Sequence, residues 1–164
     1  MLNKNFLLIG IIFSYLYPIY YIYNNFKSNK SISNIICDKN CKYIILKYLM
    51  YMCFFLLLYE VKRNEYFSSI IIATFVISSL LLVNIEESNN FHFATAFLSF
   101  LCLLFFTYIH YKKNTTLKYL FLLQVILGTF LITDVLLGYD VFLSESLYLV
   151  NFGLYFFILH FIEK

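Results

Sequence analysis

Residues 66–83 read Tyr-Phe-Ser-Ser-Ile-Ile-Ile-Ala-Thr-Phe-Val-Ile-Ser-Ser-Leu-Leu-Leu-Val, with no charge anywhere in the run. That length is close to the ~20 residues an α-helix needs to cross a hydrocarbon core. Inside a bilayer the backbone must satisfy its own hydrogen bonds, so the segment reads as a helix despite its isoleucines. A membrane β-strand would need ~10-residue segments of alternating polarity. This stretch does not alternate. Polar breaks at 60–65 and 84–90 close it on both sides.

The same pattern repeats outward in both directions. Further apolar stretches run at 6–23, 43–59, 91–111, 119–137 and 146–162, separated by polar breaks at 24–42, 112–118 and 138–145. The expected fold is therefore all-α, a polytopic integral membrane protein whose six transmembrane helices form one domain over residues 1–164. Composition agrees. The chain is 62% hydrophobic and 13% charged, against about half and a quarter in soluble domains. A net charge of +3 leaves no basic surface for nucleic acid. The lipid bilayer is the one partner that composition implies.

The first stretch follows Lys4 and lacks a small-x-small cleavage site, so it reads as an uncleaved span with Tyr15, Tyr17, Tyr20, Tyr21 and Tyr23 toward its outer interface. Pro18 is placed to kink its outer end. Orientation follows from the basic residues. With the N-terminus inside, the inner segments hold seven (Lys4, Lys62, Arg63, Lys112, Lys113, Lys118, Lys164) and the outer side five (Lys27, Lys30, Lys39, Lys42, Lys47). The count places both termini in the cytosol. Eleven lysines against one arginine, with abundant Asn, Ile, Tyr and Phe, reflect an AT-rich genome and carry no mechanism.

Few residues carry chemistry. Cys37 and Cys41, in Cys-Asp-Lys-Asn-Cys of the first outer loop, read as a local disulfide if that loop faces an oxidising compartment. Two free thiols are the next reading; a metal site with His92 as third ligand has only half a zinc signature, and no metal is assigned. Cys53 and Cys102 lie inside spans and read as small apolar packing residues. His92 opens the fourth span just after Glu86 and Glu87. An imidazole beside two carboxylates can hold a cation or move a proton; the plainer reading is a charged loop that solvates two span tips. Asp134 is the acid clearly within a span, so it faces either a bundle interior or the nearby interface. Glu145 and Asn151 open the sixth span in the same outer layer. Gln124, near mid-span, is expected to hydrogen-bond a neighbouring helix, and Thr95/Ser99 and Ser69/Ala73 to allow close helix packing. His110 and His160 read as solvated interfacial residues. No phosphate loop, zinc-protease helix or nucleophile elbow occurs in the sequence, and no cofactor is implied.

The third-to-fourth-span region resembles the six-span Frag/DRAM/Sfk family. That family includes damage-regulated autophagy modulators and a protein of GPI-anchor lipid remodelling. Its Asn-containing turn and His-x-x-x-Ala-x-x-x-Phe run correspond to Asn84-Ile85-Glu86-Glu87 followed by His92, Ala96 and Phe100. Its first-loop Ile-Ser-Asp element corresponds to Ile32-Ser33-Asn34, with Asn in place of Asp, and its Glu-Trp pair before the last span to Glu145-Ser146. The resemblance implies an endomembrane protein with cytosolic termini and no settled catalytic mechanism. The expected function is thus non-enzymatic: organising or sensing lipids, or binding partner membrane proteins, in an internal or viral membrane. The alternative is an intramembrane lipid-modifying enzyme whose site would use His92, Glu86, Glu87, Asp134 and Glu145. A small channel or carrier ranks third, because only Gln124 approaches the midplane.

Overall fold

The structure, a computed structural model, describes residues 3–25, 31–32, 35, 42–85 and 89–163. All regular structure among them is helical: α1 (Lys4–Asn25), α2 (Lys42–Arg63), α3 (Tyr66–Asn84), α4 (Asn90–His110), a 3-10 turn (Tyr111–Lys113), α5 (Thr115–Leu137) and α6 (Phe142–Ile162). These six α-helices are each long and apolar enough to cross a bilayer, as expected for an integral multi-pass protein. The expected disulfide cysteines Cys37 and Cys41, and the candidate acids Glu86 and Glu87, lie outside the described residues.

Helix boundaries are set by caps rather than by the edges of the apolar runs. α2 continues through Glu60-Val61-Lys62-Arg63, a segment whose polarity reads as loop. It stops at Asn64, which adopts φ +59° and donates its N–H to the Glu60 carbonyl at 3.1 Å. This is a left-handed cap of the kind Asn tolerates better than most residues. Only Asn64 and Glu65 then separate α2 from α3. α5 starts four residues before its apolar run because the Asn114 side chain accepts the Thr116 N–H at 2.8 Å. It ends where Gly138, at φ +69°, lets Tyr139 N–H reach the Asp134 carbonyl at 2.9 Å and Gly138 N–H the Val135 carbonyl at 3.3 Å. Asp140 Oδ1 accepts the Phe142 N–H at 3.0 Å, which begins α6 earlier than its apolar run does.

Sequential helices pack as hairpins: α1 with α2, α3 with α4, α5 with α6, while α2 also borders α3, and α4 borders α5 and α6. Glycine allows two close approaches. A Cβ at Gly10 would sit 2.9 Å from the Phe55 ring of α2, and one at Gly153 3.0 Å from the Tyr15 ring of α1. The second contact brings α6 against α1. Leu7, Met52, Ile72, Leu103, Phe106 and Tyr155 are among the core residues. α5 is peripheral, with Leu117, Gln124 and Leu131 its buried residues; its other apolar side chains form a face suited to lipid.

Polar groups inside the spans are used between helices. Gln124 donates to the Tyr148 carbonyl at 3.2 Å and accepts from Asn151 Nδ2, joining α5 to α6 as its mid-span position suggests. Ser78 and Ser99 pair at 2.8 Å across α3 and α4. Cys53 and Cys102 are buried free thiols. The start of α1 and the end of α6 lie together, because His160 bonds Asn5 at 3.1 Å; this is called the proximal end and the opposite one the distal end.

Candidate functional site

Three features concentrate polarity or space: an ion-pair cluster at the proximal end, separate polar groups at the distal end, and an apolar slot between them.

The cluster is built on Arg63, the one arginine of the chain. Its side chain is only 2% exposed. Guanidinium nitrogen Nη1 donates to Glu60 Oε1 and Ser68 Oγ, both at 3.2 Å. The two N–H groups of Nη2 lie within reach of Glu163 Oε1 at 2.8 Å, His110 Nε2 at 2.8 Å and, more distantly, Glu65 Oε2 at 3.3 Å, and Nε faces Glu163 Oε2 at 2.6 Å. Ser68 donates to the other Glu60 oxygen at 2.6 Å. Lys113 at the surface bridges Glu65, at 2.7 Å, and Glu163. The cluster thus joins the end of α2, the start of α3, the end of α4 and the residue after α6. A lysine offers one point charge, whereas this planar fork satisfies several acceptors at once.

The Arg63 guanidinium also stacks 5.4 Å from the Phe106 ring centroid. His110 accepts from it, so the ring is neutral in this arrangement. Glu163 lies beyond the spans. Burial raises its carboxyl pKa, but hydrogen bonds from Arg63 and Lys113 together with their charges outweigh that and hold it below the usual 4.5. Next to this cluster, Tyr59 O–H bonds His160 Nδ1 at 2.7 Å, and His160 Nε2 in turn bonds the Asn5 side-chain oxygen Oδ1 at 3.1 Å.

His110 and His160 are therefore buried members of polar networks, not solvated interfacial rings. The reason is that α2 extends past its apolar run and carries Glu60 and Arg63 inward, where they require partners. Glu65, His110 and Glu163 stand close enough to share a cation. The Arg63 guanidinium bonds all three, so that position is already filled by a positive group.

At the distal end the sequence-derived candidates separate. His92 is 1% exposed; its Nδ1–H donates to the Ile85 carbonyl at 3.0 Å, closing the α3–α4 connection. Its Nε2 is buried with no partner among the described residues. Glu145, also buried, accepts the Ile32 N–H at 2.6 Å, which ties the first connection to the first turn of α6. Asp134 is half-buried near the end of α5. His92 and Glu145 thus bond different partners, and the Asp134 carboxylate bonds neither of them.

Between the two ends runs an apolar slot. Its distal lobe, about 300 Å³, is walled by α1, α2, α3, α4 and α6 and reaches from Glu145, Phe142 and Val83 down to Met52 and Leu103. A proximal lobe of about 330 Å³ continues between α1 and α6 to Leu8 and Phe157. Tyr15, Met52, Phe75, Leu103 and Leu149 line both. Ser14 and Ser79, buried residues of α1 and α3, also line the distal lobe. Neither hydroxyl bonds a described residue, whereas Ser78, Thr95, Ser99 and Thr107 each bond a backbone carbonyl three or four residues earlier. Sequence periodicity gives no sign of the slot, because apolar residues that line a void and those that fill a core are the same residues. No protein-family model, curated protein or solved structure matches this chain.

Proposed function

We propose that this chain is a non-enzymatic multi-pass protein of an internal membrane, with both termini cytosolic, that holds or senses lipid in the slot between its helices. The observation that carries the reading is the slot itself: two adjoining lobes in series, walled almost wholly by apolar side chains, in a protein whose surroundings are lipid. Pockets of a few hundred Å³ with few, placed polar groups are the usual form of a small-ligand site. The family resemblance fits this reading and gains a physical link. The Ile32 N–H donates to Glu145, so one residue from each end of that resemblance meets the other at the slot's distal mouth.

The enzymatic alternative has weaker support. Of its candidates among the described residues, Glu145 lines the slot while His92 and Asp134 do not. His92 spends its Nδ1–H on its own connecting loop. The proximal cluster holds its charges against one another, which favours a structural role for it. The test is extraction of the protein in discs of its own membrane, followed by native mass spectrometry. The reading predicts lipid retained after exhaustive exchange into detergent, and unchanged by incubation. A protein that sheds all lipid contradicts the binding, and steady conversion of the retained lipid contradicts the non-enzymatic part.

A further inference from the structure

The slot has a head end. Glu145 lies in the first turn of α6, where the helix N-terminus favours a carboxylate, and it lines the distal lobe. Ser79 faces the same lobe, is more than nine-tenths buried, and bonds no described residue. Two contacts fix their relative depth. Ser78 pairs with Ser99, and the Tyr148 hydroxyl donates to the neighbouring Phe100 carbonyl at 2.8 Å. Ser79 and Glu145 therefore stand within about one helical turn of each other along the bundle. A hydroxyl left without a partner in an apolar interior is costly, so its presence there points to a polar atom brought by an occupant.

The rest of the slot is a channel for a chain. On α6 its lining runs from Phe142 to Phe157, and the part from Glu145 to Phe157 is about 18 Å long at 1.5 Å per residue. The lobes lie end to end, which suits one extended acyl chain better than two side by side. Charge then selects the head. A phosphate would face the Glu145 carboxylate in a medium of low dielectric, where like charges repel strongly. An ammonium would have to give up its hydration to form a buried pair, a cost the attraction often fails to recover. A head of hydroxyl groups meets neither penalty: it donates to a carboxylate and leaves an ester oxygen to accept from a serine.

Resting on the lipid-binding reading above, we infer that the distal mouth at Glu145 and Ser79 is the head-group site for an uncharged single-chain lipid of the monoacylglycerol kind. The hydroxyls of its glycerol donate to Glu145, its ester carbonyl accepts from Ser79, and its acyl chain lies through both lobes.

The experiment places the full chain in phosphatidylcholine nanodiscs with a monoacylglycerol carrying a photoactivatable diazirine in its acyl chain. Labelling is expected on the slot walls, at peptides containing Met52, Phe75 or Leu103. Unlabelled monoacylglycerol should displace the probe at about tenfold lower concentration, or better, than lysophosphatidic acid or sphingosine. Ser79→Ala should weaken probe binding about fivefold, the change expected for one hydrogen bond of about 1 kcal/mol. Ala96→Phe, which fills the distal lobe, should abolish labelling; because it also risks misfolding, Ser79→Ala is the deciding variant. Equal or better displacement by lysophosphatidic acid or sphingosine, or full binding by Ser79→Ala, overturns the head-group assignment and leaves the lipid seat standing. Absence of slot labelling by this probe and by diazirine analogues of lysophosphatidic acid and sphingosine removes both.

Discussion

Replacing Arg63 by methionine keeps an unbranched apolar stem but ends it short of the guanidinium, so its charge and donors are removed. Glu60, whose side chain is 1% exposed, would then keep only Ser68 as a described hydrogen-bond partner; Glu163 would keep Lys113, and His110 would lose the donor at its Nε2. Removing one member of a buried, hydrogen-bonded ion pair costs about 3–5 kcal/mol, chiefly because the other charge stays buried without compensation. That corresponds to a drop of about two to three and a half powers of ten in the folded-to-unfolded ratio. The second substitution Glu60→Gln, made on Arg63→Met, should recover at least ~1 kcal/mol, since it removes the stranded carboxylate. Lys113→Ala, at the exposed edge, should cost less than ~1 kcal/mol. The chain has no tryptophan, so unfolding is best followed by far-UV circular dichroism during titration of mixed micelles with dodecyl sulfate. A loss below ~1 kcal/mol for Arg63→Met, the level of a solvated surface pair, would refute the claim that this cluster holds the proximal end together.

Acid should weaken the same cluster. Glu163 has its pKa depressed in the folded state, so its contribution is present above the ordinary value of 4.5 and is lost as pH falls below it. Glu163→Gln should flatten that part of the stability profile, and an unchanged acid limb would contradict the assignment. Asn64 holds a left-handed conformation: Asn64→Val should destabilise by about 1–2 kcal/mol and Asn64→Gly should not, as measured in the same titration. Orientation is testable by cysteine labelling in sealed vesicles on a background lacking the native thiols. Asn114→Cys should react from the cytosolic side and Asp140→Cys from the opposite side, and the reverse pattern would invert the topology. Non-reducing peptide mapping should find Cys37 joined to Cys41. Two free thiols there would argue for a reducing compartment on that side.

Span number and order follow directly from the sequence, because a run such as 66–83 has no alternative that satisfies its backbone in lipid. Gln124 too is legible, since a mid-span amide must find a partner on another helix. What reads poorly is the polarity at span ends. Glu60 and Arg63 resemble loop residues by composition. They prove to be the last turn of α2, because Asn64 caps the helix five residues beyond the apolar run and their charges can be paired inside. A hint was present: a Glu three residues before the lone arginine of a lysine-rich chain, with two histidines at that same end. The slot is not legible at all. Whether Met52 and Leu103 meet other side chains or a void depends on how five helices come together, and no local pattern encodes it.

The most direct measurement of the central claim is a density map of the protein in discs cut from its own membrane. The account predicts one elongated non-protein density through both lobes, its broad end beside Glu145 and Ser79 and its tail passing Met52 toward Phe157. Lobes closed by their own side chains, or occupied by water alone, would contradict it.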